Sequence, residues 1–590
     1  LEGDYSLLKK VGKYCVKDSE LVRDLFAHLD IWSMLTQSSI VMNIRAEDLY
    51  IKGQQIRIYC QVYRYCFENK ILIDESSYTP PEDSKYEGAC VLVPQPGMYR
   101  NVVPFDFCLT GDTTISLLNG TSVRLDEIQG GEIVSSCVEG RIGFNRVVGG
   151  LQQKGVRDTV KICLSDGTEI ISTPDHKFLL EDGSWCEAQS LGGQRVTMGV
   201  DYPLDSRGED EVGWSLKLDG VTFTMTDDRN KILAFSRLLG LVLSDGSIYR
   251  SRNRRVSDFS LGTEYDSQRV MDDIELICGK RTTIAYRESS KLKGSTFRIT
   301  PPAMLSKMFH SLDGIVVGKR MRLPVFLTEK CCPKSVIREF LGGLFGGDGV
   351  TACMATKTMS VFKWATLTQH TDSMKRVFRQ LNGMLDSFGI TSVVKYHSHP
   401  PADVVQNQRV NHQLNIPKNC IERFSSCIGF RYCINKTAKL DIITRYLKFC
   451  RHVREQNGWV VDRTNQLISE KIPNLFSRSK KYPSFQDCLD IARSELKQKE
   501  AILHEYSLSS VKDVCYQCYQ RGETTDKPRR VSLSYKKNFP TLGDFITQLG
   551  VDDWFSVGNT KKYAVSRTSV PSYSMKVVAV RKHTPQPVYD

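Results

Sequence analysis

The chain has 590 residues, too many for one hydrophobic core, and at roughly 100–200 residues per domain this predicts about three to five domains. Hydrophobic residues make up 41% and charged residues 25%, a globular balance that excludes disordered, collagen-like and coiled-coil chains. No run of about 18 apolar residues occurs, so we expect no transmembrane helix. An opening without Met or a signal peptide favours a fragment of an intracellular protein.

Positive charge is concentrated in the middle of the chain. The whole chain carries 80 Lys and Arg against 67 Asp and Glu, a net charge of +13. Residues 231–480 alone hold 40 basic and 20 acidic residues, whereas residues 1–107 hold 12 and 15. The central excess predicts a domain that binds a polyanion such as nucleic acid, although a solvated basic face has the same composition.

The 19 cysteines are scattered, which favours reduced thiols over a disulfide framework. Cys515 and Cys518 form a CxxC, but no second pair stands at zinc spacing, so we expect no structural zinc.

The predicted elements begin with helices. Residues 6–30 carry apolar side chains at helical spacing and residues 55–72 continue in that style. A turn-rich linker then leads to a strand–turn–strand pattern that ends at residue 107. Tyr14 and Asp18 form a YxxxD that places both side chains on one helical face, a pattern that by itself is usually structural.

At Cys108 the pattern changes to short alternating strands joined by Asn-Gly and Asp-Gly turns, which predicts an all-β module to about residue 205. A cysteine there can attack the carbonyl of its own preceding peptide bond, but the amide is stable and the thiol mostly protonated. In the stretch TPDH, His176 would protonate the departing nitrogen and Thr173 would hold the strained peptide. Taken singly, the Cys and the His are more often structural.

Two apolar helices in the basic block end at Asp-Gly, with Asp245 and Asp348 separated by 103 residues. Their interiors contain glycine, which costs about 1 kcal/mol in a helix and therefore indicates close backbone packing, as at Gly240 and Gly343. Packed helices would bring the two carboxylates together, and a bound divalent cation would relieve their repulsion, polarise a phosphate and activate water. Core helices with ordinary glycine caps are the alternative.

These segments, LLGLVLSDG at 238–246 and LGGLFGGDG at 341–349, resemble the LAGLIDADG homing endonucleases. The resemblance implies an α+β monomer with two pseudo-symmetric αββαββα halves. It also implies curved sheets that enter the major groove of double-stranded DNA at a homing site. The family's first acidic position is Leu243 in one copy and Gly346 in the other, so one carboxylate per motif remains.

The same resemblance assigns site residues. Asp245 and Asp348 would be the Mg²⁺ ligands of the endonuclease. A lysine near the cleaved phosphate in each half is also implied, for which Lys436 is the candidate in the second half and Lys319 in the first, where Met321 replaces the expected lysine.

The β module resembles an intein. CLTGDTTISL at 108–117 and TPDHKF at 173–178 are similar to the first two splicing blocks, and the terminal KVVAVRKHTPQPVYD to the start of the C-terminal splicing strands. The resemblance implies the all-β Hint fold with the endonuclease between its halves. The residues with implied roles in the first acyl shift are Cys108, Thr173, His176 and Asp590. Inteins end in His-Asn, which this sequence does not reach, so we expect a thioester at residues 107–108 without complete splicing.

The first 107 residues resemble a B-family DNA polymerase, through KGQQIRIYCQVYRYC at 52–66 and YEGACVLVPQPGMYRNVVPFDF at 86–107. This resemblance implies an α/β fragment that spans the end of the exonuclease region and the start of the palm. Asp18 would be an exonuclease metal ligand and Asp106 a polymerase metal ligand, both for Mg²⁺. Template-primer DNA would be the partner only of the spliced polymerase.

Together these resemblances predict a multidomain chain. Its segments are the polymerase fragment 1–107, the Hint region 108–205, the endonuclease 231–480, a linker or accessory region 481–560 and the Hint C-terminal region 561–590. One alternative is a DNA-binding module whose endonuclease has degenerated. Another is a Hedgehog-like autoprocessing protein, against which the helical insertion and the N-terminal region argue.

Overall fold

The computed structural model describes residues 5–72, 108–138, 141–147, 151–205, 208–252, 254–289, 294–313, 322–350, 358–367, 370–398, 409–471, 539–555 and 571–589. The chain divides into two compact units, Leu1–Val102 and Val103–Asp590. The strand–turn–strand predicted before residue 107 and most of the region 481–560 lie outside the described residues.

The described part of the first unit is helical. Its helices are α1 (Tyr5–His28), α2 (Ile31–Met42), α3 (Ala46–Ile51) and α4 (Gly53–Glu68). Ile44 and Leu49 are buried, whereas many other apolar side chains of this unit are exposed. The helices predicted over 6–30 and 55–72 are confirmed as α1 and α4.

The second unit begins with a module of short strands. They are β1 (Leu109–Thr110), β2 (Thr114–Ser116), β3 (Ser122–Arg124), β4 (Ile133–Val138), β5 (Arg141–Arg146), β6 (Gln153–Leu164), β7 (Glu169–Ser172), β8 (Lys177–Leu179), β9 (Trp185–Glu187) and β10 (Arg195–Gly199). Antiparallel hairpins join β2 to β3, β4 to β5 and β8 to β9. Gly120, in the predicted Asn-Gly turn between β2 and β3, has a φ of 80°, which glycine adopts without strain.

A further hairpin, β11 (Ser215–Leu218) and β12 (Val221–Thr224), follows the β module. The sequence predicted β structure only to about residue 205, so that boundary was too early. The missed signal is Asp219-Gly220, whose φ angles of 47° and 86° are both positive, as a tight two-residue hairpin turn requires.

Two halves of similar element order come next. The first contains α5 (Arg229–Ser244), β13 (Gly246–Ser251), β14 (Arg254–Leu261), α6 (Glu264–Cys278), β15 (Ile284–Ser289), β16 (Gly294–Ile299) and α7 (Ala303–Ser311). The second contains α8 (Lys334–Asp348), β17 (Thr358–Leu367), α9 (Thr371–Ser387), β18 (Val393–Ser398), β19 (Arg409–Pro417) and α10 (Ile421–Cys427). The first half has the predicted αββαββα order. The second follows it, apart from residues 351–357, which lie outside the described part.

Each half builds one antiparallel sheet, with strand order β13-β14-β16-β15 in the first and β17-β19-β18 in the second. Helices α5 and α8 are almost entirely buried and form the centre of the hydrophobic core. Among the described residues, none of the helices combines the length and apolar character needed to cross a membrane.

The chain closes with α11 (Ile434–Lys471), α12 (Leu542–Gln548), α13 (Asp552–Phe555) and β20 (Ser572–Tyr589). The ring of Phe545 on α12 packs against Tyr446 on α11, so this part of the accessory region joins the core. β20 returns to the β module, whose main sheet has the order β1-β7-β6-β20-β10. The helical halves are therefore inserted between strands of one sheet, as the order of patterns along the sequence suggested.

A buried charge cluster holds the two central helices together. Glu339 of α8 is fully buried and lies 2.9 Å from the guanidinium of Arg431, 3.0 Å from that of Arg338 and 3.3 Å from that of Arg237 on α5. Burial disfavours the charged carboxylate, but the three cations prevail and lower the pKa of Glu339 to about 2.

A second cluster, buried except for Asp201, ties the β module to the helical insertion. Arg445 of α11 donates hydrogen bonds to Asp166, after β6, at 3.0 Å and to Asp201, after β10, at 2.8 Å. Tyr573 of β20 donates to Asp441 of α11 at 2.7 Å. Helix α11 is thus attached to the β module by ion pairs as well as by packing.

Candidate functional site

Cys108 stands at the start of β1 and is 2% exposed. The hydroxyl of Thr173 lies 3.4 Å from both the backbone nitrogen and the carbonyl oxygen of Cys108, and the backbone N–H of Thr173 donates to that carbonyl at 3.0 Å. These contacts follow from the strand register, because Leu109 on β1 pairs with Ser172 on β7. The structure therefore places Thr173 on the amide that the predicted chemistry would break.

His176 is held in the turn that follows β7. Its backbone N–H donates to the carbonyl of Thr173 at 3.2 Å, and its own carbonyl accepts from Ala188 at 2.8 Å. The imidazole meets the ring of Phe178 edge-on, with 5.0 Å between the ring centroids. The turn that carries His176 is thus tied to the residue that touches Cys108.

The end of the chain reaches the same place. Tyr589 of β20 pairs with Leu109, and Val588 pairs with Thr110. Strands β1 and β20 therefore lie side by side in one sheet. Asp590 itself lies outside the described residues.

Helices α5 and α8 pack with their backbones in contact. A β-carbon on Gly343 would collide with the carbonyl group of Arg237. One on Gly240 would collide with the carbonyl oxygen of Phe340. Gly343 follows Gly240 by 103 residues, and Phe340 follows Arg237 by the same number. This is also the spacing of the two Asp-Gly motifs, so the two helices are related by a local two-fold axis. The close packing predicted from the helical glycines is observed.

The two candidate aspartates lie at adjacent positions at the C-terminal ends of these helices. A β-carbon on Gly347 would lie 2.7 Å from the β-carbon of Ser244 and 3.2 Å from the backbone nitrogen of Asp245. Asp348 is the next residue after Gly347, so the structure brings the backbones of the two aspartates together. At position 346 the neighbouring carbonyl of Arg431 leaves no room for a side chain, which accounts for glycine there.

Asp348 is oriented by a residue that the motifs did not reveal. The indole nitrogen of Trp364, on β17, donates to the Oδ2 atom of Asp348 at 2.5 Å. Trp364 was missed because it lies 16 residues after Asp348, in a strand whose apolar pattern reads as core.

Lys436, in the first turn of α11, lies at the same helix end. Its ammonium donates to the carbonyl oxygen of Gly346 at 2.6 Å and to that of Gly347. The C-terminal carbonyls of a helix favour a cation. Lys436 is thereby held next to Asp348, whereas Lys319 lies outside the described residues.

Cys433 lies three residues before Lys436 and was not predicted as a site residue from the sequence. Burial raises the pKa of the Cys433 thiol to about 11, and the positive charge of Lys436 opposes the rise. The carboxylates of Asp266 and Asp245 raise this pKa further. Asp266 is buried and accepts the backbone N–H of Ile434 at 3.0 Å.

The donors suit a metal ion that binds together with a phosphate. Within the described ranges, no group of three or more His, Cys, Asp or Glu side chains forms a metal cage. Asp245 and Asp348 supply carboxylate oxygens, and Mg²⁺ is commonly held by one or two carboxylates with waters and substrate phosphates. The carboxylates present are therefore of the kind that holds Mg²⁺ together with a phosphate.

Basic side chains extend from both sheets. Arg254 and Arg255 of β14 are exposed, and on the second sheet the exposed Lys363 and Lys395 flank Gln413 of β19. These cations belong to the segment with the excess of 40 basic over 20 acidic residues. They provide contacts of the kind that hold phosphates.

In the first unit, Asp18 is exposed on α1, one helical turn after Tyr14. Asp106 lies outside the described residues.

Comparison with known proteins identifies the N-terminal part. Residues 44–108 match DNA polymerase family B. The DNA polymerase 120R of Invertebrate iridescent virus 3 is 45% identical over 96 residues, which are 16% of this chain and 8% of the viral polymerase. The chain thus spans less than a tenth of the length of that polymerase. The family B match ends one residue after the boundary predicted at Phe107.

Homing endonucleases are among the structural neighbours of this chain. A mesophilic variant of I-DmoI matches 34% of this chain and 97% of its own, with 14% identity and a TM-score of 0.23. I-WcaI, solved bound to its DNA recognition sequence, matches 37% and 92%, with 14% identity and a TM-score of 0.24. Likeness at this level carries no functional argument, so the function of the insertion rests on its own residues.

Proposed function

We propose that this chain is a segment of a B-family DNA polymerase precursor, interrupted after Phe107 by a self-splicing intein that contains a DNA endonuclease. One observation carries the proposal. The polymerase similarity ends at residue 108, where a β module begins whose first strand, β1, pairs with β20, a strand that follows the helical halves in the chain. A splicing element needs its two ends adjacent, because the segments that flank it must be joined.

The first step is a rearrangement of the peptide bond before Cys108. The sulfur bonds to the carbonyl carbon of Phe107, the carbon–nitrogen bond breaks, and the nitrogen becomes the free amine of Cys108. The thiol loses one proton and the nitrogen gains one, with His176 as the donor to nitrogen. The contact of Thr173 with this amide supports a role in holding the peptide, and Asp590 is assigned to assist the shift.

Hydroxylamine, which captures thioesters, tests this step. We expect it to release residues 1–107 from the wild-type chain as a hydroxamate and to leave the Cys108→Ala chain intact. Equal release from both chains would show that the cleavage is not a thioester reaction.

We propose that the helical insertion hydrolyses DNA at a specific site. Asp245 and Asp348, whose backbones lie together at the helix ends, would hold Mg²⁺, which would polarise the phosphate and lower the pKa of bound water. Lys436 places a cation beside them, and Lys319 is the counterpart proposed for the first half. The exposed basic side chains of the two sheets hold the DNA backbone of the homing site. The pseudo-symmetric halves on one chain support action as a monomer.

A plasmid that contains the uninterrupted polymerase gene tests the endonuclease. With Mg²⁺ we expect a double-strand cut in the wild-type reaction and none with the combined Asp245→Asn and Asp348→Asn variant. DNA binding without any cut in Mg²⁺ or Mn²⁺ would favour the alternative, a DNA-binding module with a degenerate endonuclease.

Within the spliced polymerase, Asp18 and Asp106 are proposed as Mg²⁺ ligands of the exonuclease and the palm, which act on template-primer DNA. Two metal ions would stabilise the attacking and leaving oxygens of the reacting phosphate. The match of residues 44–108 to family B supports this assignment for the palm.

A further inference from the structure

The segment between α10 and α11 contains a tyrosine in an unusual backbone conformation. Tyr432 has a φ of 54°, in the left-handed region, and it is the only aromatic residue among the described non-glycine residues with positive φ. A bulky side chain is disfavoured there because its β-carbon comes too close to the backbone. Such a conformation persists only where the surrounding structure holds it, so the contacts of Tyr432 indicate what fixes it.

The Tyr432 side chain is anchored to the first half of the insertion. Its hydroxyl donates to the Oδ2 atom of Asp273 on α6. Asp273 is buried and also accepts two hydrogen bonds from the guanidinium of Arg237 on α5, each at 2.6 Å. Burial raises the pKa of the Tyr432 hydroxyl well above its usual 10, so the hydroxyl remains protonated and able to donate. The carboxylate that accepts this hydrogen bond is thus itself fixed in place.

The residues on either side of Tyr432 contact the end of α8. The backbone N–H of Arg431 donates to the carbonyl of Gly342 at 2.9 Å, and the carbonyl oxygen of Arg431 occupies the space that a side chain at Gly346 would need. Four residues after Tyr432, the ammonium of Lys436 donates to the carbonyl of Gly346 at 2.6 Å. The turn at Tyr432 therefore connects two segments that meet the same helix end. A negative φ at position 432 would change the direction of the chain between them.

We propose that Tyr432 is a positioning residue for Lys436 in DNA cleavage. The hydrogen bond to Asp273 stabilises the left-handed backbone of Tyr432, and this backbone directs the start of α11 so that Lys436 reaches the end of α8 beside Asp348. Glycine would adopt the same φ without strain but could not make the hydrogen bond. The inference rests on the endonuclease function proposed above, although the position of Lys436 can be measured without cleavage.

The rate at which the Lys436 amine is acetylated measures its position in the metal-free protein. Tyr432→Phe retains the ring and removes the donor, and we expect Lys436 to react with sulfosuccinimidyl acetate about five- to tenfold faster, as read by mass spectrometry of the digested chain. Replacement of Tyr432 by 4-aminophenylalanine restores a donor and should return the rate to within about twofold of wild type. Lys439, three residues further along α11, is the internal reference and should react at the wild-type rate. Tyr573→Phe, which also removes a hydroxyl bound to an aspartate, serves as the control.

A double-mutant cycle connects this position to catalysis. At saturating DNA and Mg²⁺ we expect Tyr432→Phe to slow the cutting of the target plasmid about five- to tenfold in the otherwise wild-type chain. In the Lys436→Ala chain the same substitution should change the rate by less than about twofold, because the residue that it positions is absent. Metal-free DNA affinity should be unchanged by Tyr432→Phe in both chains.

Equal acetylation of Lys436 in wild type and Tyr432→Phe would overturn the proposal. Faster reaction of Lys439 together with Lys436, or a loss of cleavage rate in the Lys436→Ala chain as large as in wild type, would also overturn it, because each would indicate a structural role that does not act through Lys436. If Tyr432→Phe does not fold, a folded 4-aminophenylalanine chain with a reactive Lys436 would overturn it likewise. A wild-type chain that cuts no DNA would instead overturn the endonuclease function, and the acetylation rates alone would then decide whether Tyr432 positions Lys436.

Discussion

At the residue scale, the contact between Thr173 and Cys108 connects the TPDH stretch to the proposed acyl shift at Cys108. The hydroxyl lies 3.4 Å from the backbone nitrogen of Cys108, which would leave in the proposed acyl shift, and the same residue anchors the turn that carries His176. A hydrogen bond that strengthens as the peptide distorts lowers the barrier, whereas one that is equally strong before and after does not.

Removal of this hydroxyl should slow the shift without unfolding the module. Thr173→Val conserves the volume of the side chain, and we expect thiol-induced release of residues 1–107 to become about ten- to a hundredfold slower. Thr173→Ser retains the hydroxyl and should stay within about threefold of wild type. The rate is read from the release of the fragment over time. A Val variant as fast as wild type would remove Thr173 from the mechanism.

The motif residues could be predicted from sequence because their signals are local. Cys108 opens a run of short strands, and Thr173 and His176 share one turn. Trp364 could not be found in this way, since its contact with Asp348 depends on how β17 lies against the end of α8. The pKa of Cys433 likewise depends on charges from several elements.

At the element scale, the contact between α5 and α8 sets the position of both aspartates. Helical glycine is unfavourable by about 1 kcal/mol, so its presence at positions 240 and 343 predicted the close approach that is observed. The sequence could not predict the charge cluster around Glu339, because its arginines come from three separate segments.

An alanine at position 343 should separate the helices. Its β-carbon would lie 2.9 Å from the carbonyl carbon of Arg237, which is backbone and has no room to move. We expect Gly343→Ala to lower the free energy of unfolding by about 1–3 kcal/mol in denaturant titrations. Gly383→Ala is the matched control, because that helical glycine is exposed with open space around it. It should raise stability by up to about 1 kcal/mol. Equal effects at both positions would contradict the packing described.

Glu339 should make the stability of the helical insertion depend on pH. Its pKa falls from 4.5 in the unfolded chain to about 2 in the folded protein, so its charge stabilises the fold above about pH 5. That contribution is lost as pH falls from about 5 to about 2. Asp205, whose pKa the guanidiniums of Arg229 and Arg338 lower against the effect of burial, contributes in the same direction.

The Glu339→Gln variant should therefore be less stable by about 3–5 kcal/mol at neutral pH, because it leaves buried cations without their partner. It should also lose less stability than wild type between pH 5 and pH 2. Denaturant titrations across this range measure both effects, with the exposed Glu275→Gln as control. If the Glu339→Gln chain lost as much stability as wild type between pH 5 and pH 2, Glu339 would not be the source of this pH dependence.

At the scale of the whole molecule, the insertion and the β module are built into each other. Arg445 and Asp166 are 279 residues apart in sequence and meet at 3.0 Å, and β20 pairs with β6, which lies more than four hundred residues earlier. Changes in the residue pattern along the sequence predicted the modules and the insertion of the helical one between the parts of the β module. Long-range ion pairs of this kind leave no local signal, which is why the firm attachment of α11 to the β module came only from the structure.

The central claim is that a splicing element begins at Cys108, directly after a polymerase segment. The most direct measurement is the mass of the purified chain after incubation with and without dithiothreitol, alongside Cys108→Ala. We predict thiol-dependent cleavage between Phe107 and Cys108 in the wild-type chain and none in the variant. A wild-type chain that stays intact, or a Cys108→Ala chain that cleaves equally, would contradict the claim.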